Sequence, residues 1–204
     1  MATTNAVFAI SSLSLPQFPD SEPQLGLQEE HVEIVSSDKP DATTLDSATM
    51  EEVTTVVSSL VKKTILKASP YAGPEHLLYL DHLETQNRLM ALALSALSPA
   101  RPDYAKAAYQ QAFSWGRVIT LLAALVTEER ITWKKQSFYV VEFRSKLQEN
   151  IDIDRLYLLD KQSHMEATAS GGLLKYWYGS PDSERYNLAT CKQIHGPPGT
   201  SLNN

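Results

Sequence analysis

The residues best suited to chemistry fall in two groups, both in the C-terminal third of the chain. His164 sits in the run Asp160-Lys161-Gln162-Ser163-His164-Met165-Glu166. An imidazole titrates near neutrality, so a histidine in a protected place can take or give a proton as a general acid or base. The alternative for His164 is a surface helix position, with Asp160 one turn earlier as its neighbour. The second group is Glu142, Arg144, Lys175, Trp177, Arg185 and Asn187. Strand alternation puts Phe138, Val140, Glu142 and Arg144 on one face, and Lys175 and Trp177 on one face opposite Leu174, Tyr176 and Tyr178. If those faces coincide, a concave sheet surface presents Trp177 beside charged groups and binds a small molecule. If not, the tryptophan belongs to a dimer core, with the charges at its rim.

Other chemistries find little to stand on. His76 and His82 are six residues apart and point to different sides of a helix, and no metal-ligand spacing occurs, so no metal is expected. Cys191, the single cysteine, excludes an internal disulfide framework and reads as a packed thiol. Gly171-Gly172 stops a helix rather than cradling a phosphate, and no cofactor is expected. Arg130, Trp133, Lys134 and Lys135 form a small basic patch on a chain of net charge −6, which argues against nucleic acid.

The elements that must position these residues can be read in order. Residues 1–50 carry eight acidic side chains against Lys39, with Pro16, Pro19, Pro23 and Pro40 among many serines and threonines. Such a stretch buries too little apolar surface to offset its ordering entropy and is expected to be a disordered acidic arm. Within it, His31 to Val35 alternates like an edge strand. A helical layer is expected over 51–132. Val53, Val56, Val57, Leu60 and Val61 mark a first helix over 51–68, and Leu77, Leu80 and Leu83 a second over 75–97. A third, over 103–129, carries Tyr109, Phe113, Val118, Leu121, Leu122 and Leu125.

From 133 to 191 the pattern becomes strand, helix, strand, strand. The strands are 136–144, 173–178 and 185–191, and the helix is capped by Asp152 or Asp154 and closed by Gly171-Gly172. That order is three quarters of a ferredoxin-like unit, and the fold class is α+β: a three-helix layer followed by a partial ferredoxin-like β-α-β-β segment. Residues 192–204, with Gly196-Pro197-Pro198-Gly199, read as an unstructured tail. The longest apolar runs, Leu89 to Leu94 and Leu121 to Val126, are far shorter than the ~18 residues that cross a bilayer. Met1 to Asp20 has no basic residue and so matches neither a secretory nor a mitochondrial leader. A cytoplasmic chain, with access to the nucleus, is the expectation.

The runs Phe138-Tyr139-Val140-Val141, Gly171-Gly172-Leu173-Leu174-Lys175-Tyr176-Trp177 and Asn187-Leu188-Ala189-Thr190-Cys191 resemble a fungal protein family of unassigned function, over roughly residues 75–191. More remotely, the pattern is similar to the dimeric α+β barrel group, which includes cofactor-free monooxygenases and YciI-like proteins. The YciI-like resemblance implies a general acid or base at His164. The monooxygenase resemblance implies a substrate role for Trp177, Asn187 and Arg185, without a position-by-position match. The fungal family's pattern implies a further helix and closing strand after Cys191. Here the sequence turns into Lys192-Gln193-Ile194-His195-Gly196, so a shortened C-terminus and an open sheet edge are expected. A second copy or a partner protein would then complete the sheet. Two functions stay open: a small-molecule-binding or cofactor-free enzyme domain, and a non-catalytic interaction module.

Overall fold

A computed structural model gives the fold and describes residues 47–169 and 171–194. The acidic arm up to residue 46, with the His31–Val35 segment, and the tail from 195 lie outside the described residues. Helix α1 spans Ser47–Val61 and is followed by a short strand β1, Ile65–Lys67. The expected long helix over 75–97 does not form as one piece. Leu77, Leu80 and Leu83 are spaced by three, which suits tight three-residue turns as well as an α-helix. The segment folds as a turn at Pro74–His76, strand β2 at Leu77–Tyr79 antiparallel to β1, and a turn at Leu80–His82. Helix α2 then runs only over Thr85–Ala93. The expected helix over 103–129 is likewise divided into a single turn, α3 (Tyr109–Ala112), and helix α4 (Trp115–Glu128).

The C-terminal part follows the sequence pattern closely. Strand β3 is Tyr139–Lys146, helix α5 Ile153–Ala169, strand β4 Leu173–Tyr178 and strand β5 Tyr186–Gln193. The Asp152 carboxylate accepts from the Arg155 backbone N–H at 3.0 Å and starts α5. Gly171 and Gly172, both at positive φ, turn the chain into β4. The sheet order is β3-β5-β4 with both pairings antiparallel, so β3 and β4 are parallel and α5 is the crossover between them. Strand β5 runs past Cys191. Lys192 and Gln193 pair with both neighbours, so the tail begins later than the sequence suggests.

The sheet is covered on both faces. Against one lie α2 and α4 with Leu89, Leu92, Val118, Leu122 and Leu125, joined to Val140, Leu174 and Leu188 in one core. Against the other lies α5 over a much smaller cluster of Leu173, Tyr176, Ala189 and Cys191. Leu174 joins the helical core rather than the face of Tyr176 and Tyr178. The register gains one residue between Leu173 and Lys175, and that bulge reverses the expected direction of Leu174. At the end of β4, a Cβ on Gly179 would overlap the Tyr104 hydroxyl and the Trp177 ring. Gly179→Ala is therefore expected to cost about 1–2 kcal/mol, read as a lower urea midpoint at unchanged slope.

Candidate functional site

Between α5 and the sheet lies a cavity of about 360 Å3. Its wall takes Phe143 and Ser145 from β3, Asn187, Ala189 and Cys191 from β5, and Tyr176 and Tyr178 from β4. From α5 come Leu156, Tyr157, Leu159, Asp160, Ser163, His164 and Ala167. The surface is mostly apolar with a few polar groups, the usual composition of a small-molecule pocket.

The end of the cavity at His164 is closed by the loop between the first two expected helices. Residues 69–73 carry Tyr71 across to α5, and the Pro74–His76 turn delivers His76 beneath it. The Ala68 N–H donates to the His76 carbonyl at 3.1 Å and closes the loop, and the Tyr176 N–H donates to the Ala68 carbonyl at 2.7 Å and ties it to the edge of β4. Gly73, at φ 130°, has no Cβ to collide with the Glu75 carboxylate, which folds back over it.

There His76 and His164 meet, 88 residues apart in sequence, with Nδ1 to Nδ1 at 2.8 Å. His76 is 0% and His164 2% exposed. Around them, Tyr176 and His164 meet in an edge-type arrangement, and Tyr71 packs on both imidazoles. Asp160 is not a partner of His164. Its two oxygens accept from the hydroxyls of Tyr71 and Tyr176. Burial first, and then the bond to Asp160, push both phenols upward, so they remain donors.

Burial also pushes His164 down to about 4, helped by His76 beside it and opposed by Asp160. It is neutral at pH 7. A bond between two imidazole nitrogens needs a proton on one and a lone pair on the other. Glu75 Oε1 lies 3.3 Å from Nε2 of His76, outside hydrogen-bond alignment but close enough to favour a proton there. A proton at Nε2 of His76 leaves its Nδ1 to accept, and His164 then donates from its own Nδ1. Nε2 of His164 is left as a lone pair, and it has no hydrogen-bond partner among the described residues. A carboxylate that sets one ring, which sets the next, is an arrangement that holds a base in one tautomer.

The other sequence candidates divide between the faces. Asn187 reaches the cavity wall, although its Oδ1 accepts from the Leu188 N–H at 2.8 Å. Arg144 borders the cavity, but its guanidinium is bound by Glu142 and by the carbonyls of Ala105 and Ala107, both at 2.6 Å. Trp177 lies against Tyr104 and Phe113 in the helical layer. Lys175 is half-buried beside Lys67, with its pKa lowered by burial first and by that second cation next. Arg185 holds the Leu147 carbonyl at 2.9 Å and Glu149 at 3.2 Å, away from the cavity. The concave surface bearing Trp177 therefore does not form, because that face of the sheet is filled by helices. Cys191 lines the cavity as a buried thiol pushed upward by burial, which keeps it protonated.

Residues 67–193 match the family model described as PB2B2.08-like. Over 142 residues the chain is 37% identical to the UPF0643 protein PB2B2.08 of Schizosaccharomyces pombe. The match covers 66% of this chain and 64% of that protein, so the chain spans less than two thirds of that relative's length. No solved structure matches the chain. Among the described residues no helix is long and apolar enough to cross a membrane.

Proposed function

The chain belongs to the PB2B2.08-like family, and we propose that it binds a small molecule in the cavity beneath α5, with His164 as the proton acceptor. The observation that carries this reading is a largely apolar cavity with a buried, neutral histidine among its lining residues. Such a base, held in one tautomer by His76 and Glu75, suits proton abstraction as well as binding. We place this activity in the cytoplasm or nucleus, in keeping with a single reduced thiol.

The test is a ligand-detected NMR screen of uncharged fragments against the full chain. Ala189→Leu fills the cavity floor from the central strand. Fragments that bind the wild type are expected to lose at least about tenfold in affinity in Ala189→Leu. Hits that bind both proteins equally would show that the cavity is not the site.

One observation favours a second reading. Among the described residues no strand pairs with the outer edge of β3, and Phe143 beside that edge is 40% exposed. A strand from a second copy or from another protein would complete the sheet there. Sedimentation of the wild type and of Phe143→Asp checks it. A dimer abolished by the substitution is expected, and a monomer in both removes the second-copy version.

A further inference from the structure

Helix α5 covers its face of the sheet without packing on it, and that gap has a shape. We infer that the cavity takes a compound with an unbranched hydrocarbon chain, which lies lengthwise between α5 and the sheet. This rests on the reading of the cavity as a ligand site and names the class of ligand.

Packing is the first ground. Helices α4 and α5 lie against opposite faces of one sheet. Helix α4 buries Trp115, Val118, Leu122, Leu125 and Val126, whereas α5, although longer, buries only His164. Apolar layers normally close to the density of an organic crystal. Here polar ties hold the helix in place instead: Asp160 accepts from the hydroxyls of Tyr71 and Tyr176, and His164 meets His76. The small side chains of Ala189 and Ala167 line the gap from the sheet and from the helix.

Shape is the second ground. The lining residues on α5 run from Leu156 to Ala167, about 16 Å along the axis, whereas a round space of about 360 Å3 would be only about 9 Å across. The cavity is therefore a slot along the helix. At one end stand His164, Tyr176 and Cys191, all buried. Towards the other, Phe143, Tyr157 and Leu159 line the cavity yet are 40%, 44% and 48% exposed, so the slot opens to solvent between them. Ile153, one turn before Tyr157, is exposed as well and continues the apolar surface past the mouth. A chain in the slot covers these side chains, and each methylene it buries adds to its affinity. A compact molecule with the same number of carbons fills only part of the length.

Hexanol, octanol and decanol are titrated into the full chain by calorimetry. Beside them goes adamantanol, which holds as many carbons as decanol in a compact cage. Affinity is expected to rise about two- to fourfold per methylene from hexanol to decanol. Decanol is expected to bind at least about tenfold more tightly than adamantanol. Ala189→Leu narrows the slot and should abolish the rise. Leu159→Gln, at an exposed position on which folding does not depend, alters the mouth and should weaken decanol more than hexanol. Adamantanol binding as tightly as decanol, with both lost in Ala189→Leu, would overturn the chain and leave the cavity reading standing. If none of these compounds binds, or all bind wild type and Ala189→Leu equally, the cavity reading itself fails. A second copy seated on the mouth would overturn the proposal differently, as a dimer in sedimentation that Leu159→Gln dissociates, with no dependence on chain length.

Discussion

Lys192→Met is expected to stabilise the protein at pH 7 by about 1–3 kcal/mol. Lys192 is 1% exposed and sits on the central strand of the sheet. Its amine has Thr190 Oγ1 at 3.4 Å and the rings of Phe113, Tyr109 and Trp115 at 5.1, 5.6 and 5.8 Å. Among the described residues no carboxylate comes within ion-pair distance of it. Three aromatic faces attract an ammonium, but each contributes only about 0.5–2 kcal/mol. Removing the charge from water costs more, so burial pushes this lysine well below its ordinary range. The sign follows from linkage. Below ~10.4 the unfolded chain binds a proton on this amine that the folded protein refuses. Stability from this group is therefore lost as pH falls from that value towards the lowered folded pKa, by ~1.36 kcal/mol per unit. Methionine fills similar volume without the charge. Urea unfolding at several pH values between 7 and 10 checks this. The difference between wild type and variant should shrink as pH rises, and a difference independent of pH would contradict it.

The second large effect is acid lability centred on the histidine pair. His164 is held at about 4 in the fold against ~6.5 in the unfolded chain. The unfolded state takes up its proton first, so stability falls as pH drops from ~6.5 to about 4, by up to about 3 kcal/mol. Protonation also puts a charge on the largely apolar cavity wall, so affinity for uncharged ligands should decline over the same range. His164→Phe is expected to flatten that limb of the stability profile. It also leaves Nδ1 of His76 unpaired, so the variant starts from a lower stability at pH 7. A profile between pH 4 and 6.5 identical to the wild type would show that other groups cause the loss.

The two halves of the fold differ in how readily they could be read. From β3 onward, local chemistry settles the elements: β-branched and aromatic runs, an aspartate cap and a glycine pair act over a few residues. The stretch from Ile65 to Leu83 is different. Its leucines have a spacing that helix and tight turn share, and its strand pairing was chosen by contact between Ile65–Lys67 and Leu77–Tyr79. Alternation also misplaced Leu174, because one inserted residue on β4 changes its face.

The candidate site follows the same logic. His164 was legible, since a histidine on a helix covering a sheet is a plain candidate. His76 was visible only as half of an unconvincing metal pair with His82. Nothing in the spacing of either residue announces a partner 88 positions away. Tyr71 lay in the gap between the two expected helices and Glu75 at the start of the second, although Gly73 and Pro74 there are the residues that let the loop fold back. The group around Trp177 failed for a converse reason. Its residues alternate correctly, but the face bearing Trp177 is occupied by α2 and α4.

Glu75 and His76 hold His164 as a neutral base with a bare Nε2. Nitrogen-15 NMR of the full chain at pH 7, reading the two-bond couplings of each imidazole, tests it most directly. His164 is expected to be protonated at Nδ1 with a bare Nε2, and His76 at Nε2. Glu75→Gln should weaken that preference. A proton on Nε2 of His164, or a charged His164 ring, would contradict the account.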